Sequence, residues 1–230
     1  MAGQGYRGFA ERVALVTGGA QGIGRAVALQ LALEGAYVVV SYASAEAGAE
    51  TVVKELRELG TLAHSIEADA SRAEGVGRIF AEVEALYGRL DMLVNYARLT
   101  RAAAPLEELT EEAWNEAVNA GLKSAFLCSQ AAVRLMRQRP SPSIVQLAPQ
   151  AAAGGAEESV QLAVAEAGMI GLTGALAREL SPRIRVNCVT VSPQAQPDEA
   201  ARACVYLLSP EARSITGQVL TVGARLPLSA

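Results

Sequence analysis

The segment VALVTGGAQGIGRAVALQLALEG, Val13 to Gly35, constrains this chain more than any other. Val13 to Thr17 is a largely apolar, β-branched run, the pattern of a strand buried on both faces of a parallel sheet. Gly18, Gly22 and Gly24 follow, and from Gly22 to Glu34 the apolar residues recur at helical spacing. A strand, a glycine-rich turn and a helix N-terminus in that order let backbone N–H groups approach a pyrophosphate, whose charge the helix dipole favours. The same glycines also suit a turn whose only need is close helix-strand packing.

The scheme repeats. Strands are predicted at Tyr37–Ser41, Ala63–Glu67, Leu90–Asn95, Ser143–Ala148, Arg185–Thr190 and Gln218–Val222, which with the first makes about seven. Helices are predicted at Ala45–Leu59, Arg72–Tyr87, Thr110–Arg137, Val160–Leu180 and Pro197–Leu208. Val52, Val53, Leu56 and Leu59 share one helix face, and Thr110 with the acidic residues after it marks a helix start. The expected fold is α/β: a single-domain, Rossmann-type, doubly wound parallel sheet flanked by helices, spanning residues 1–230. QRPSPS and PQAAAGGAEES read as loops within it.

Hydrophobic residues make up 51 % of the chain and charged ones 19 %, enough for a large core and incompatible with disorder throughout. A net charge of -4, with the 20 basic residues scattered, argues against nucleic acid or a membrane surface as partner. Cys128, Cys188 and Cys204 form no CxxC pair and read as free thiols in a reducing compartment. His64 is the single histidine, so no metal site is expected. MAGQGYRGFAER has no apolar leader, and a cytoplasmic protein is expected.

TGGAQGIG fits a TGxxxGxG fingerprint, and the chain continues with VVVSYAS, ADAS, GRLDMLVN, EEAWNEAVNAGLKSAFLCSQAA, AGMIGLTGALAREL, RIRVN and ITGQVL. Together these segments resemble the short-chain dehydrogenase/reductases over nearly the full chain, and look most like the 3-oxoacyl-(acyl-carrier-protein) reductases. The resemblance implies a dinucleotide cofactor at Thr17, Gly18, Gln21, Gly22, Ile23, Gly24, Ser41, Asp69, Ala70 and Asn95. Ser41 and Tyr42 stand where an acidic residue would bond the ribose 2′-OH of NAD, which favours NADP by lack of repulsion and leaves NAD compatible. Gln21 and Ala43 supply none of the basic residues that many NADP users carry. Asp69 is implied to meet the adenine edge; a helix cap before Arg72 is its alternative.

The resemblance also implies reduction of a carbonyl by hydride transfer. A tyrosine donates the proton, a lysine lowers its pKa and holds the nicotinamide ribose, a serine orients the carbonyl, and an asparagine supports a relay water. Ungapped alignment puts Leu162 at the tyrosine, Glu166 at the lysine, Pro149 at the serine and Gly121 at the asparagine. No tyrosine lies between Tyr96 and Tyr206, no lysine follows Lys123, and no tyrosine has a lysine four residues later. Leucine donates no proton, proline has neither hydroxyl nor N–H, and glutamate brings negative charge where a cation is needed.

Asn95-Tyr96-Ala97-Arg98 replaces the family's NNAG, and Arg98 there fills the site, grips a phosphate or turns to solvent. Tyr96 is the one tyrosine expected near a nicotinamide, and packing beside the crevice is its first reading. His64 reads as an edge or solvent residue, Glu157 and Glu158 as solvated loop residues. Only Pro193 to Pro197 separates the sixth strand from the next helix, a truncated substrate lid near residues 192–198. Ala125, Leu127, Cys128, Ala131, Ala132 and Leu135, with Met169, Leu172, Ala175 and Leu176, offer more apolar surface than one sheet face needs. The family's habit implies a homo-oligomer, dimer or tetramer, or a hetero-oligomer with an active relative. The expected function is that of a catalytically inactive structural or regulatory subunit. An NADP(H)-dependent oxidoreductase acting on a carbonyl or 3-oxoacyl substrate is the alternative, and an NADP(H)-sensing binding module is the second alternative.

Overall fold

Side chains of successive strand residues point to opposite faces, so an uninterrupted apolar strand serves two cores at once. In the computed structural model, which describes residues 8–43, 48–96, 105–149 and 160–223, both cores are present. The elements in order are β1 (Val13–Thr17), α1 (Gly22–Leu33), β2 (Tyr37–Tyr42), α2 (Gly48–Glu58), β3 (Ala63–Glu67), α3 (Ala73–Tyr87) and β4 (Met92–Tyr96). Then come α4 (Glu111–Val118), α5 (Ser124–Met136), β5 (Ser143–Pro149), α6 (Val160–Leu180), β6 (Arg185–Val191), α7 (Pro197–Leu208) and β7 (Val219–Val222). Ala14 and Val16 pack with α1, α2 and α7 on one face, whereas Val13 and Leu15 pack with α3, α5 and α6 on the other.

The sheet has seven strands, ordered β3-β2-β1-β4-β5-β6-β7, every pair parallel. This is the single-domain Rossmann-type fold. The strand order reverses between β1 and β4, and a crevice opens at such a switch point outside the carboxyl ends of the strands. Thr17 bridges those two ends: its hydroxyl accepts from the Tyr96 N–H at 2.9 Å and donates to the Tyr96 carbonyl at 3.0 Å.

Among the described residues, two departures from the sequence reading exceed a one-residue shift of an element's end. The long helix predicted from Thr110 is capped as expected, the Ala113 N–H donating to the Thr110 hydroxyl at 3.2 Å. It is then interrupted by a π-helical turn, Asn119–Lys123, between α4 and α5. The Ser124 hydroxyl donates to the Ala120 carbonyl and, at 3.1 Å, to the Gly121 carbonyl at this turn. β4 begins at Met92 instead of Leu90. The stretch 44–47, including the predicted helix start at Ala45, lies outside the described residues.

Helix α6 has the length and apolarity of a membrane-crossing segment, with a mean hydropathy of 1.5. In the fold it covers β5 and β6, burying Ala165, Met169 and Ala177.

Candidate functional site

A cleft of about 290 Å³ lies at the carboxyl ends of β1, β2 and β4. Of the residues expected to hold a dinucleotide, Thr17, Gly18, Gln21, Ser41, Asp69 and Ala70 line it. Gly18 and Gly22 adopt φ of 61° and 54°, a region that glycine enters without strain, and this lets the chain reverse from β1 into α1. Gln21 places no side-chain cap over the N-terminus of α1, and that first turn carries no acid. The helix therefore presents its positive end to the cleft without a competing carboxylate.

Asp69 serves two purposes. Its carboxylate accepts the Ser71 N–H at 2.9 Å in the turn before α3, with Arg72 at 3.3 Å, and it also lines the cleft. Partial burial pulls its pKa up, but the Ser71 hydrogen bonds and the Arg72 charge prevail and hold it below the ordinary value. It is a carboxylate at neutral pH.

Four expected cofactor residues do not line the cleft, and Gly22, the first residue of α1, is one of them. Ile23 packs onto the core beside α1. Gly24 supports the turn from beneath, for a β-carbon there would stand 2.4 Å from the Gly18 carbonyl oxygen. Asn95 is turned inward: its Nδ2 donates to Ser129 Oγ at 3.1 Å and Gln146 Oε1 at 3.0 Å, while Gln146 Nε2 donates to the same Ser129 oxygen at 3.0 Å. This triad ties β4 to β5 and α5, and only Asn95 Oδ1 is left without a partner.

Sequence reasoning missed part of the wall. Ala20, Gly48, Ala68, Ser71, Ala120 and Ser124 also line the cleft, beside Tyr42, Ala43 and Tyr96, which the sequence reading places at the crevice. Ser71 carried a signal, since an Asx turn needs its partner two residues after the aspartate. Tyr96 packs across the glycine turn, its Cδ1 3.3 Å from where a β-carbon on Gly18 would lie, its hydroxyl 3.6 Å from one on Gly22.

Next to the cleft is a void of about 10 Å³, lined by Asn95, Tyr96, Gly121, Ser124, Pro149 and Glu166 among others. That is room for one water. Three of the four positions assigned to the family's catalytic residues, Gly121, Pro149 and Glu166, thus meet at one point, on the π turn, the end of β5 and α6. Leu162 stands one turn before Glu166 on α6, half-buried, and does not line the void. Glu166 is 6 % exposed, and its charge adds to the burial that pushes the Cys188 thiol up to about 12.

The remaining candidates fall elsewhere. His64 sits half-buried on edge strand β3, edge-on to Tyr87 at 6.0 Å; burial and the nearby Arg57 lower its pKa. Arg98, Glu157 and Glu158 lie outside the described residues. The cysteines are free and buried. Among the described residues no group of His, Cys, Asp and Glu forms a metal site. Between β6 and α7 the connection runs only from Ser192 to Gln196.

Comparison with known proteins resolves the ancestry of this arrangement. The description "short chain dehydrogenase" matches residues 12–197. The chain belongs to the short-chain dehydrogenase family. Among curated relatives, the 3-oxoacyl-(acyl-carrier-protein) reductase FabG of Staphylococcus aureus is 36 % identical over 235 residues, covering 91 % of this chain and 95 % of that one. The 3-oxoacyl-(acyl-carrier-protein) reductase of Synechocystis is 32 % identical, covering 92 % and 95 %. Among solved structures, a dehydrogenase/reductase from Sinorhizobium meliloti superposes with a TM-score of 0.88 at 30 % identity, covering 94 % and 95 % of the two chains. A short-chain dehydrogenase from Burkholderia cenocepacia in complex with NADP gives 0.86 at 32 % identity, covering 94 % and 97 %.

Proposed function

We propose that this short-chain dehydrogenase relative binds a nicotinamide dinucleotide but does not reduce a carbonyl by the family's mechanism, and that it acts as a structural or regulatory subunit. The uncapped N-terminus of α1, the bare glycines before it and the open wall from Ser41 to Asp69 suit the adenosine and phosphate part of such a cofactor. NADP is the favoured form, in keeping with the cofactor of the Burkholderia cenocepacia relative and the lack of an acid at Ser41. The cofactor, when bound, supplies a hydride; the protein must supply the proton.

The observation that carries the inactive reading is the lining of the small void. Gly121 and Pro149 have no side-chain donor, and the buried Glu166 is an acid where a cation is needed to favour phenolate. A positioned proton donor is worth about 10²–10⁴ in rate, and groups that act as a unit fail together.

Oligomerisation accords with the exposed apolar residues. Of the ten residues expected to offer interface surface, Ala125, Cys128, Ala132, Leu135 and Met169 are buried within the chain's own fold, while Leu127, Ala131, Leu172 and Leu176 are half-buried and Ala175 is exposed. Phe126, Val160, Val164 and Ile170 are the large apolar residues that α5 and α6 leave exposed, and α7 and β7 leave Tyr206, Val219 and Leu220.

A second reading, an active reductase with Tyr96 as proton donor, is favoured by the likeness to the 3-oxoacyl-(acyl-carrier-protein) reductases and by the place of Tyr96 on both cavities. Calorimetric titration with NADPH and NADH, followed by an NADPH-oxidation assay over short 3-oxoacyl thioesters and diketones, separates the two. Binding without turnover supports the inactive subunit; turnover that Tyr96→Phe abolishes supports the enzyme; no binding of either nucleotide sinks both.

A further inference from the structure

The amino ends of β5 and β6 border a second cleft, of about 420 Å³, lined by Arg137, Arg139, Ser141, Arg183, Arg185 and Arg213. It lies a full strand away from the glycine turn, about 20 Å for seven residues. Its arginines come from the connection after α5, the turn before β6, the start of β6 and the segment after Pro210–Ala212. The chain therefore brings five arginines together from separate places.

Two of them are committed. Arg139 Nε donates to Asp91 Oδ1 at 2.7 Å. Arg185, 7 % exposed, donates to the Leu207, Leu208 and Ser209 carbonyls at 2.6, 3.2 and 3.2 Å, capping the C-terminus of α7, yet its Nε has no partner. Burial, and Arg12 nearby, make Arg185 easier to deprotonate than a free arginine. Arg137, Arg183 and Arg213 are exposed and make no ion pair among the described residues.

Opposing these five charges are Asp91 and the C-termini of α5, α6 and α7, each terminus worth about half a negative charge, so an excess of roughly two to three positive charges remains. Ser141, which also lines the cleft, holds φ of 60°, a conformation that residues other than glycine keep only where their surroundings impose it.

We propose that this basal cleft binds a small anion carrying two or three linked phosphates, independently of the dinucleotide cleft. Guanidinium forks match phosphate oxygens two at a time, and the residual charge matches that of a diphosphate or triphosphate. The volume is that of a small-molecule site, and among the described residues no aromatic side chain lines it to stack a base, so the phosphate chain is the part held. A polynucleotide or a large acidic surface would call for a broad basic face, which a net charge of -4 does not supply.

Calorimetric titration of the full chain with inorganic triphosphate at low salt tests this. One site per chain is expected, with Kd below about 1 mM, weakened at least tenfold or so at about 0.5 M NaCl. Arg183→Glu combined with Arg213→Glu should keep the thermal midpoint and lose about tenfold or more in affinity. Gln21→Glu, which adds a carboxylate to the dinucleotide cleft, should leave triphosphate binding unchanged. The proposal is overturned if the wild-type chain gives no heat up to about 10 mM, or if the arginine variant binds undiminished. It is equally overturned if Gln21→Glu loses the binding, or if a hexaglutamate peptide binds as tightly as triphosphate.

Discussion

The ring of Tyr96 rests on the bare α-carbon of Gly24, so close that a β-carbon on Gly24 would stand 2.9 Å from Tyr96 Cδ1. The glycine turn thus holds an aromatic ring from the end of β4 as well as its own reversal. With its hydroxyl over Gly22, Tyr96 shares the space in front of α1 that a pyrophosphate would use. If the ring must swing away before a dinucleotide enters, affinity is lowered by the fraction of chains in which it is in place. Tyr96→Asn is then expected to tighten NADPH binding about tenfold. Calorimetry on the two proteins checks it, and equal or weaker binding by the variant would show that the ring is no obstacle.

Two glycine-to-alanine substitutions should differ in sign. At Gly24 the added methyl meets the Gly18 carbonyl oxygen at 2.4 Å, backbone that cannot yield without opening the turn. Gly24→Ala is expected to cost about 1–3 kcal/mol and to weaken any nucleotide binding. At Gly77, exposed within α3, nothing lies within 4 Å, and alanine should stabilise by about 0.5–1 kcal/mol through a less flexible unfolded chain and better helix propensity. Urea unfolding of both variants reads the contrast.

Asp91 anchors the other end of the sheet. It is 3 % exposed, accepts the Val13 N–H at 2.9 Å and Arg139 Nε at 2.7 Å, and has Arg89 at 3.7 Å. Asp91→Ala leaves a strand N–H and a partly buried guanidinium unpaired, and a loss of about 3–5 kcal/mol is expected. A decrease under 1 kcal/mol or so in chemical denaturation would mean that water replaces the carboxylate freely.

The cysteines make a prediction about pH. Burial pushes Cys128 and Cys188 up to about 12 from a reference of 9.0, and Cys204 upward as well. The folded chain keeps these thiols protonated where the unfolded chain would lose protons, so stability must fall as pH rises past about 9. Below that pH they contribute no dependence. Ellman's reagent at pH 8 should find no reactive thiol in the native protein and three after unfolding. Rapid native labelling of any one would contradict this burial.

Periodicity and turn chemistry made most of the fold legible. The bounds of β1, β3, α6 and α7 follow from apolar runs and from local stop signals such as Pro197 at the start of α7. Part of the site was equally legible, because the fingerprint that carries Thr17 to Gly24 is contiguous. What stayed hidden depends on strand order. Asn95 belongs to a buried triad only because β5 and α5 bring Gln146 and Ser129 beside it, residues 51 and 34 positions away. The π turn at Gly121 escaped notice because its residues keep an ordinary helical pattern, and the Ser124 hydroxyl bonds that accompany it leave no periodic trace. The basal arginines, four in connections and Arg185 at the start of β6, stay scattered along the sequence until β5 and β6 lie side by side.

The assignment of the four altered positions is open to restoration. Leu162 and Glu166 are one helical turn apart on α6, the spacing at which a tyrosine and a lysine would share a face. Pro149 and Gly121 border the same void as Glu166, so a serine and an asparagine introduced there would project toward one reacting centre. A chain carrying Leu162→Tyr, Glu166→Lys, Pro149→Ser and Gly121→Asn, with Tyr96→Asn to clear the turn, should oxidise NADPH in the presence of a short 3-oxoacyl thioester. The rise above the unmodified protein should approach the roughly 10²–10⁴ that a positioned proton donor contributes. Omitting Leu162→Tyr from the set should remove that gain while leaving NADPH affinity unchanged, since the tyrosine acts on the proton and the lysine on the cofactor. A folded, NADPH-binding variant with no activity would place the chemistry of this fold at residues other than these four. Activity already present in the unmodified chain would instead favour Tyr96 as the donor.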